Sequence, residues 1–208
     1  MAQIGAAQPA YSSIESEAFT FRSPSLRFIC NHLAPERKHV ILDLGMPSGS
    51  SVDFFARVPC TLYVEDFFES LNGLREPAGD AEPEVWDRLV NQCLMHDPKV
   101  RFDMIFAWDL INYLHADLIN ALMQRLSRSC RSGTLLYIMI SNAPRIPRRP
   151  ASISITYEDR VRYHGAAPVD KPNPKYTPLK VERMMPGFRL LHSFLLGGSL
   201  QEFLFSYE

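Results

Sequence analysis

The sequence predicts an α/β protein whose mostly parallel, doubly wound sheet ends in an antiparallel hairpin. Three observations predict it. Short aliphatic and β-branched runs alternate with amphipathic stretches between residues 24 and 140. Those runs (V-I-L-D-L, F-D-M-I-F-A, T-L-L-Y-I-M-I) are apolar almost throughout, as strands covered on both faces must be. The closing segment F-R-L-L-H-S-F-L-L-G-G-S-L-Q-E-F-L-F-S-Y places a Gly-containing turn between two strand-like runs.

The elements follow in order. Residues 1–20 are a small, polar lead-in expected to be flexible, and residues 21–208 form one domain. Ser23-Pro24-Ser25 starts a helix with Leu26, Ile29, Cys30 and Leu33 on one face, stopped by Pro35. The strand H-V-I-L-D-L comes next, then a helix with Val52, Phe55 and Ala56 at helical spacing. T-L-Y-V is a second strand, ending at Glu65-Asp66. A loop over 72–84 precedes a helix around Val85 to Leu94, and F-D-M-I-F-A is a third strand. The periodicity of D-L-I-N-Y-L-H-A-D-L-I-N-A-L-M-Q-R-L predicts one long helix, and T-L-L-Y-I-M-I is a fourth strand after Gly133. Residues 144–178 then break the pattern and form a lid or interaction insertion. Within it lie the basic loop P-R-I-P-R-R-P, one or two exposed strands over 152–163 and a second loop ending at Pro178. A short helix around Leu179 to Met185 leads into the hairpin.

Composition narrows the function. A hydrophobic content of 46% and a charged content of 22% are ordinary for a globular domain, and the net charge of -1 gives no strong nucleic-acid signal. The four cysteines are scattered, and no His or Cys spacing suits a metal, so no metal is expected. Without a signal-peptide pattern or an apolar run of about 20 residues, the expectation is a cytoplasmic protein off the membrane. Arg145, Arg148 and Arg149 read better as a solvated loop than as an anion site, and His115 and His164 as structural. Tyr176 and Lys180 fit the Y-x-x-x-K pattern of short-chain dehydrogenases, but Pro178 between them marks a helix start, so the match is accidental.

The first strand-to-helix loop carries the functional signal. In an open α/β sheet, ligands bind beyond the carboxyl ends of the strands, where strand order reverses. Gly45 and Gly49 allow tight turning and close approach there, and Glu65 closes the second strand. An acid at that spacing can accept hydrogen bonds from the hydroxyls of a ribose. The plain alternatives are turn glycines, helix-terminal acids, a capping Asp109, and core aromatics at Trp108 and Tyr113.

These stretches together resemble the class I S-adenosylmethionine-dependent methyltransferases. I-L-D-L-G-M-P-S-G-S-S-V-D-F-F-A is similar to their first motif, with Pro47 where the middle glycine stands. L-Y-V-E-D-F-F-E-S-L, F-D-M-I-F-A-W-D-L-I-N-Y-L and the closing hairpin resemble the second strand, the fourth strand and the end of that family. The resemblance implies a Rossmann-like sheet of the seven-stranded methyltransferase type and S-adenosylmethionine as cofactor. It places Asp43, Gly45, Gly49, Glu65, Asp66 and Trp108 around the cofactor. It also places Asp109 at the methyl-transfer centre, as the catalytic candidate, and Asn112 and Tyr113 on the substrate side. Pro47 has no N–H to donate and restricts the loop. The leading expectation is methyl transfer to a small-molecule acceptor. A catalytically inactive interaction or regulatory module, with 152–163 as the edge for a homodimer, is the alternative. A nicotinamide-dependent oxidoreductase is weaker, because G-x-G-x-x-G is absent.

Overall fold

The computed structural model describes residues 18–74, 81–164 and 169–208. The chain enters through β1 (Phe19–Arg22) and α1 (Pro24–Asn31). Ser23 caps α1, and its hydroxyl donates to Glu202 Oε2 at 2.6 Å. Ser25 N and the Tyr137 hydroxyl donate to the same buried carboxylate at 2.8 and 2.9 Å. One carboxylate thus fixes the helix start to the sheet, where the helix dipole favours negative charge. The first 17 residues of the expected lead-in lie outside the described residues. Phe19 and Thr20 at its end pair with a later strand.

The strands β2 (His39–Asp43), β3 (Cys60–Val64), β4 (Met104–Trp108) and β5 (Leu135–Ser141) form the parallel part of the main sheet. Between them run α2 (Gly49–Phe55), α3 (Phe67–Asn72), α4 (Pro83–Cys93) and α5 (Ala116–Ser127). The insertion contributes β6 (Arg145–Pro147), β7 (Ser152–Tyr157), β8 (Arg160–His164) and β9 (Val169–Pro172). The chain finishes with α6 (Pro178–Arg183) and the antiparallel hairpin β10 (Phe188–Leu195) and β11 (Leu200–Tyr207).

The main sheet has the order β10-β11-β5-β4-β2-β3, with β11 antiparallel to β5. This is the expected mostly parallel sheet with a C-terminal hairpin. Among the described residues it has six strands, with β3 at the edge. One face, carrying Leu42, Ile105, Leu136 and Phe203, packs on α3 to α6; the other, carrying Ile41, Phe106, Tyr137 and Leu204, packs on α1, α2 and the insertion. No helix among the described residues is long and apolar enough to cross a membrane. Because β2 pairs with β3 on one side and with β4 on the other, strand order reverses there, which puts the expected crevice beyond Asp43 and Trp108.

Two elements differ from the sequence reading. The long helix is broken: Leu110–Tyr113 is a 3-10 turn, Leu114 and His115 are extended, and α5 starts at Ala116. Asn112 explains the break. Its Nδ2 donates to the carbonyls of Asp109 and Met139 at 2.7 and 3.0 Å, and its Oδ1 accepts from Ser141 N at 2.9 Å. Those bonds tie the turn to β5 in place of a continuous helix. The second difference is the stretch 152–163, which is not a free, two-sided pair of strands. It forms a sheet in the order β1-β8-β7, with Ile153, Ile155, Val161 and Tyr163 buried on the side of α2. The alternation marks a one-sided sheet already packed on the protein.

Candidate active site

Asp43 ends β2 with only 4% of its surface exposed. Its Oδ1 accepts from Gly45 N at 2.9 Å and from Trp108 Nε1 at 2.7 Å. Burial nevertheless lifts this carboxyl from the usual 3.8 to about 6, because those two donors only partly offset lost hydration. Trp108 ends β4, lies 3% exposed, and adopts a φ of +46°. Its ring stacks on Phe106 at 5.1 Å and meets Tyr137 edge-on at 5.6 Å. A β-carbon on Gly45 would sit 2.6 Å from Trp108 Cδ1. Gly45 is therefore required by the indole that lies over it.

Gly45, Met46, Asp66, Phe68, Trp108, Asp109 and Arg149 line the cavity at this point, which encloses about 20 Å³. That is room for one water, whereas small-molecule pockets span roughly 300–1,000 Å³. An adenosyl group does not fit while the indole covers Gly45. Asp66 lies at the cavity wall and caps α3 by accepting from Glu69 N at 3.0 Å. Gly49 opens α2 away from the cavity, and a β-carbon there would meet nothing within 4 Å.

Glu65 is not at the cavity. Its side chain, 8% exposed, lies against the fully buried ring of His96, with Nδ1 at 3.0 Å from Oε2. The other ring nitrogen is 3.3 Å from Ser129 Oγ, completing an acid, histidine and serine chain. It has no catalytic access: Ser129 is 0% exposed and its oxygen already accepts from Arg125 Nη1 at 3.0 Å. The cluster joins β3, α5 and the loop after α4, and it uses the carboxylate that the spacing had suggested for a ribose.

Asp109 is equally committed. It is 2% exposed, and Oδ2 accepts from the Tyr163 hydroxyl at 2.9 Å and from Ala151 N at 3.3 Å. Burial lifts its carboxyl to about 6 against the effect of those donors, and Oδ1 has no hydrogen-bond partner among the described residues. Both donors come from the insertion, so Asp109 fastens it over the cleft. Asn112 is spent on the 3-10 turn described above. Tyr113 packs edge-on against Phe68 at 5.7 Å, beneath Lys171, whose Nζ is 5.1 Å from the ring centre.

A larger cleft, about 780 Å³, lies elsewhere, among α1, α2 and the β7–β8 turn, lined by residues such as Arg27, Phe54, Arg57 and Tyr157. It touches none of Asp43, Gly45, Asp66 or Asp109, so size alone does not locate the chemistry. Cys30 in that cleft has its thiol pushed up to about 12 by burial, and burial likewise holds Cys93 near 11 and Cys130 near 12. These thiols stay protonated and weakly nucleophilic. Among the described residues, no group of three or more His, Cys, Asp or Glu could hold a metal ion.

In the fold search, the Burkholderia thailandensis 1,6-didemethyltoxoflavin-N1-methyltransferase superposes with a TM-score of 0.51 at 15% identity, over 88% of this chain and 77% of that one. The chain has a methyltransferase fold. A structure described as the conversion of a disulfide bond into a thioacetal group during echinomycin biosynthesis gives 0.50 at 15% identity, covering 97% and 86%. A TehB-like S-adenosylmethionine-dependent methyltransferase from Corynebacterium glutamicum gives 0.47 at 12% identity, covering 88% and 87%. No family model and no curated protein matches the sequence. Within this methyltransferase fold, Asp43, Gly45, Asp66, Trp108 and Asp109 come together, while Glu65 and Gly49 do not join them. The sequence reading missed His96 and Tyr163. The period-2 pattern of 152–163 does put Tyr163 on the same face as Val161, the one signal that pointed inward.

Proposed function

We propose that this chain is an S-adenosylmethionine-dependent methyltransferase with a small-molecule acceptor, held with its cofactor cleft shut. The observation that carries this reading is the Asp43–Gly45 turn at the strand-order reversal of a methyltransferase fold, with Asp66 beside it. The Burkholderia enzyme is described with 1,6-didemethyltoxoflavin and S-adenosylhomocysteine bound, and the reading extends that type of ligand pair to this chain. Asp66, in place of Glu65, is the acid available to ribose hydroxyls. Asp109 fastens the insertion rather than serving as a general base, because its Oδ2 already accepts two hydrogen bonds from that insertion.

Calorimetry with S-adenosylmethionine and S-adenosylhomocysteine tests the reading, with NAD as the competing ligand. Heat with the sulfur ligands and none with NAD is expected. Silence with both sulfur ligands to millimolar concentration, in the natural chain and in Trp108→Phe alike, removes the reading. A second reading, a non-catalytic module, is favoured by the filled cavity and by the internal use of Glu65. Under that reading neither chain binds the sulfur ligands.

A further inference from the structure

The fold supplies a cleft at the strand-order reversal, and the Trp108 side chain lies in it, beside Arg149, Pro150 and Ala151 of the insertion. Trp108 leaves β4 with a φ of +46°, in the left-handed region that bulky residues seldom occupy. That conformation lays the indole across to β2, where its N–H finds Asp43 at 2.7 Å, and over Gly45, where a β-carbon would collide at 2.6 Å. With the ring in place the cavity holds about 20 Å³. The hold is specific: one hydrogen bond to a buried carboxylate, and ring contacts to Phe106 and Tyr137. Breaking that hydrogen bond would free the Asp43 carboxylate, which also holds the N–H of the cavity-lining Gly45, to accept from a ligand's own donors.

We infer that Trp108 is an autoinhibitory gate over the cofactor cleft, latched by Asp43, and that an adenosyl ligand binds only after the indole leaves Gly45. This rests on the cofactor reading above. A ligand that needs the open form is weakened by the fraction of molecules that are open. Loosening the gate therefore tightens binding without adding any contact. Phenylalanine at 108 keeps a ring but loses the latching N–H, so it opens partway; alanine opens fully.

The test uses the full chain. Trp86 and Trp108 are its two tryptophans, so Trp86→Phe leaves Trp108 as the sole reporter. Emission should be blue-shifted and resistant to acrylamide without ligand, then red-shifted and quenchable as S-adenosylhomocysteine saturates. In calorimetry, Trp108→Ala should bind that ligand at least about tenfold tighter than the natural chain, with Trp108→Phe between them. Circular dichroism identifies properly folded variants, and Trp108→Phe decides the matter if the alanine form does not fold. Binding only in the Trp108 variants also supports the gate. Binding by the natural chain with unchanged emission, or with equal or weaker affinity in the variants, overturns the gate and leaves the cofactor reading standing. Silence in every folded form overturns both.

Discussion

Replacing Tyr163 with phenylalanine tests how the insertion is fastened. The hydroxyl donates to Asp109 Oδ2 at 2.9 Å, and the remaining donor, Ala151 N, is longer at 3.3 Å. Asp109 titrates near 6, so it is ionised at pH 8 and protonated at pH 4.5. Losing a hydrogen bond to a charged group costs about 1.5–3 kcal/mol, against roughly 0.5–1.5 kcal/mol for a neutral one. The substitution should therefore destabilise the protein by about 1 kcal/mol more at pH 8 than at pH 4.5, equivalent to raising the Asp109 pKa by almost one unit. Urea unfolding of the natural chain, Tyr163→Phe, Asp109→Asn and the double variant at both pH values measures this. In the Asp109→Asn background the pH dependence of the Tyr163→Phe cost should vanish. An equal cost at the two pH values, or a difference that survives in Asp109→Asn, would refute the reasoning.

The pH profile of stability should carry both buried acids. Asp43 and Asp109 rise from 3.8 to about 6, so between those values the folded state binds more protons than the unfolded one. Stability is greatest below pH 3.8 for these groups and falls as pH rises through 6, by on the order of 3 kcal/mol for each; paired urea curves of Asp43→Asn and Asp109→Asn should flatten that slope. Gly45→Ala should cost about 1–3 kcal/mol in urea unfolding from overpacking against Trp108, and less in a Trp108→Ala background, where Asp43 Oδ1 at 3.2 Å still crowds the β-carbon. Glu65→Ala should cost about 1–3 kcal/mol by leaving Nδ1 of buried His96 unpaired, while calorimetry on the Trp108→Phe form shows unchanged affinity for S-adenosylhomocysteine. Pro47→Gly alone should move that affinity by no more than about twofold, as for other exposed substitutions; a large gain would shift the obstruction from the indole to the loop.

The sheet was legible because its signal is local. Short, mostly apolar runs such as H-V-I-L-D-L read as buried strands, and their alternation with helices points to a parallel order. The start of α1 was legible for the same reason, through Ser23 and Pro24. The break after Tyr113 was not, because the atoms that compete with the helix lie on β5, 27 and 29 residues further along. The placement of Glu65 was hidden for the same reason. Glu65 and Asp66 are neighbours that point to different sides of the sheet edge, and a spacing rule cannot choose between them. The choice belongs to His96, 31 residues later, which holds Glu65 on the closed side.

Pro47 and Trp108 can now be weighed against each other. In the sequence, the proline looked like the defect in the cofactor loop. In the fold, Pro47 is exposed and lies outside the lining of the small cavity, just before the Ser48 that starts α2. Its fixed φ shapes the entry to that helix, a position where a missing N–H costs little. The obstruction comes from another strand, through a tryptophan that no loop motif describes. Gly45 is needed for the indole, which a β-carbon there would meet at 2.6 Å. Under the proposed reading, the glycine over which the indole closes is the one a cofactor would approach, so ring and ligand would exclude each other. That exclusion makes closure reversible in principle: the indole is held by one hydrogen bond and two ring contacts, and a ligand competing for Asp43 competes for the latch.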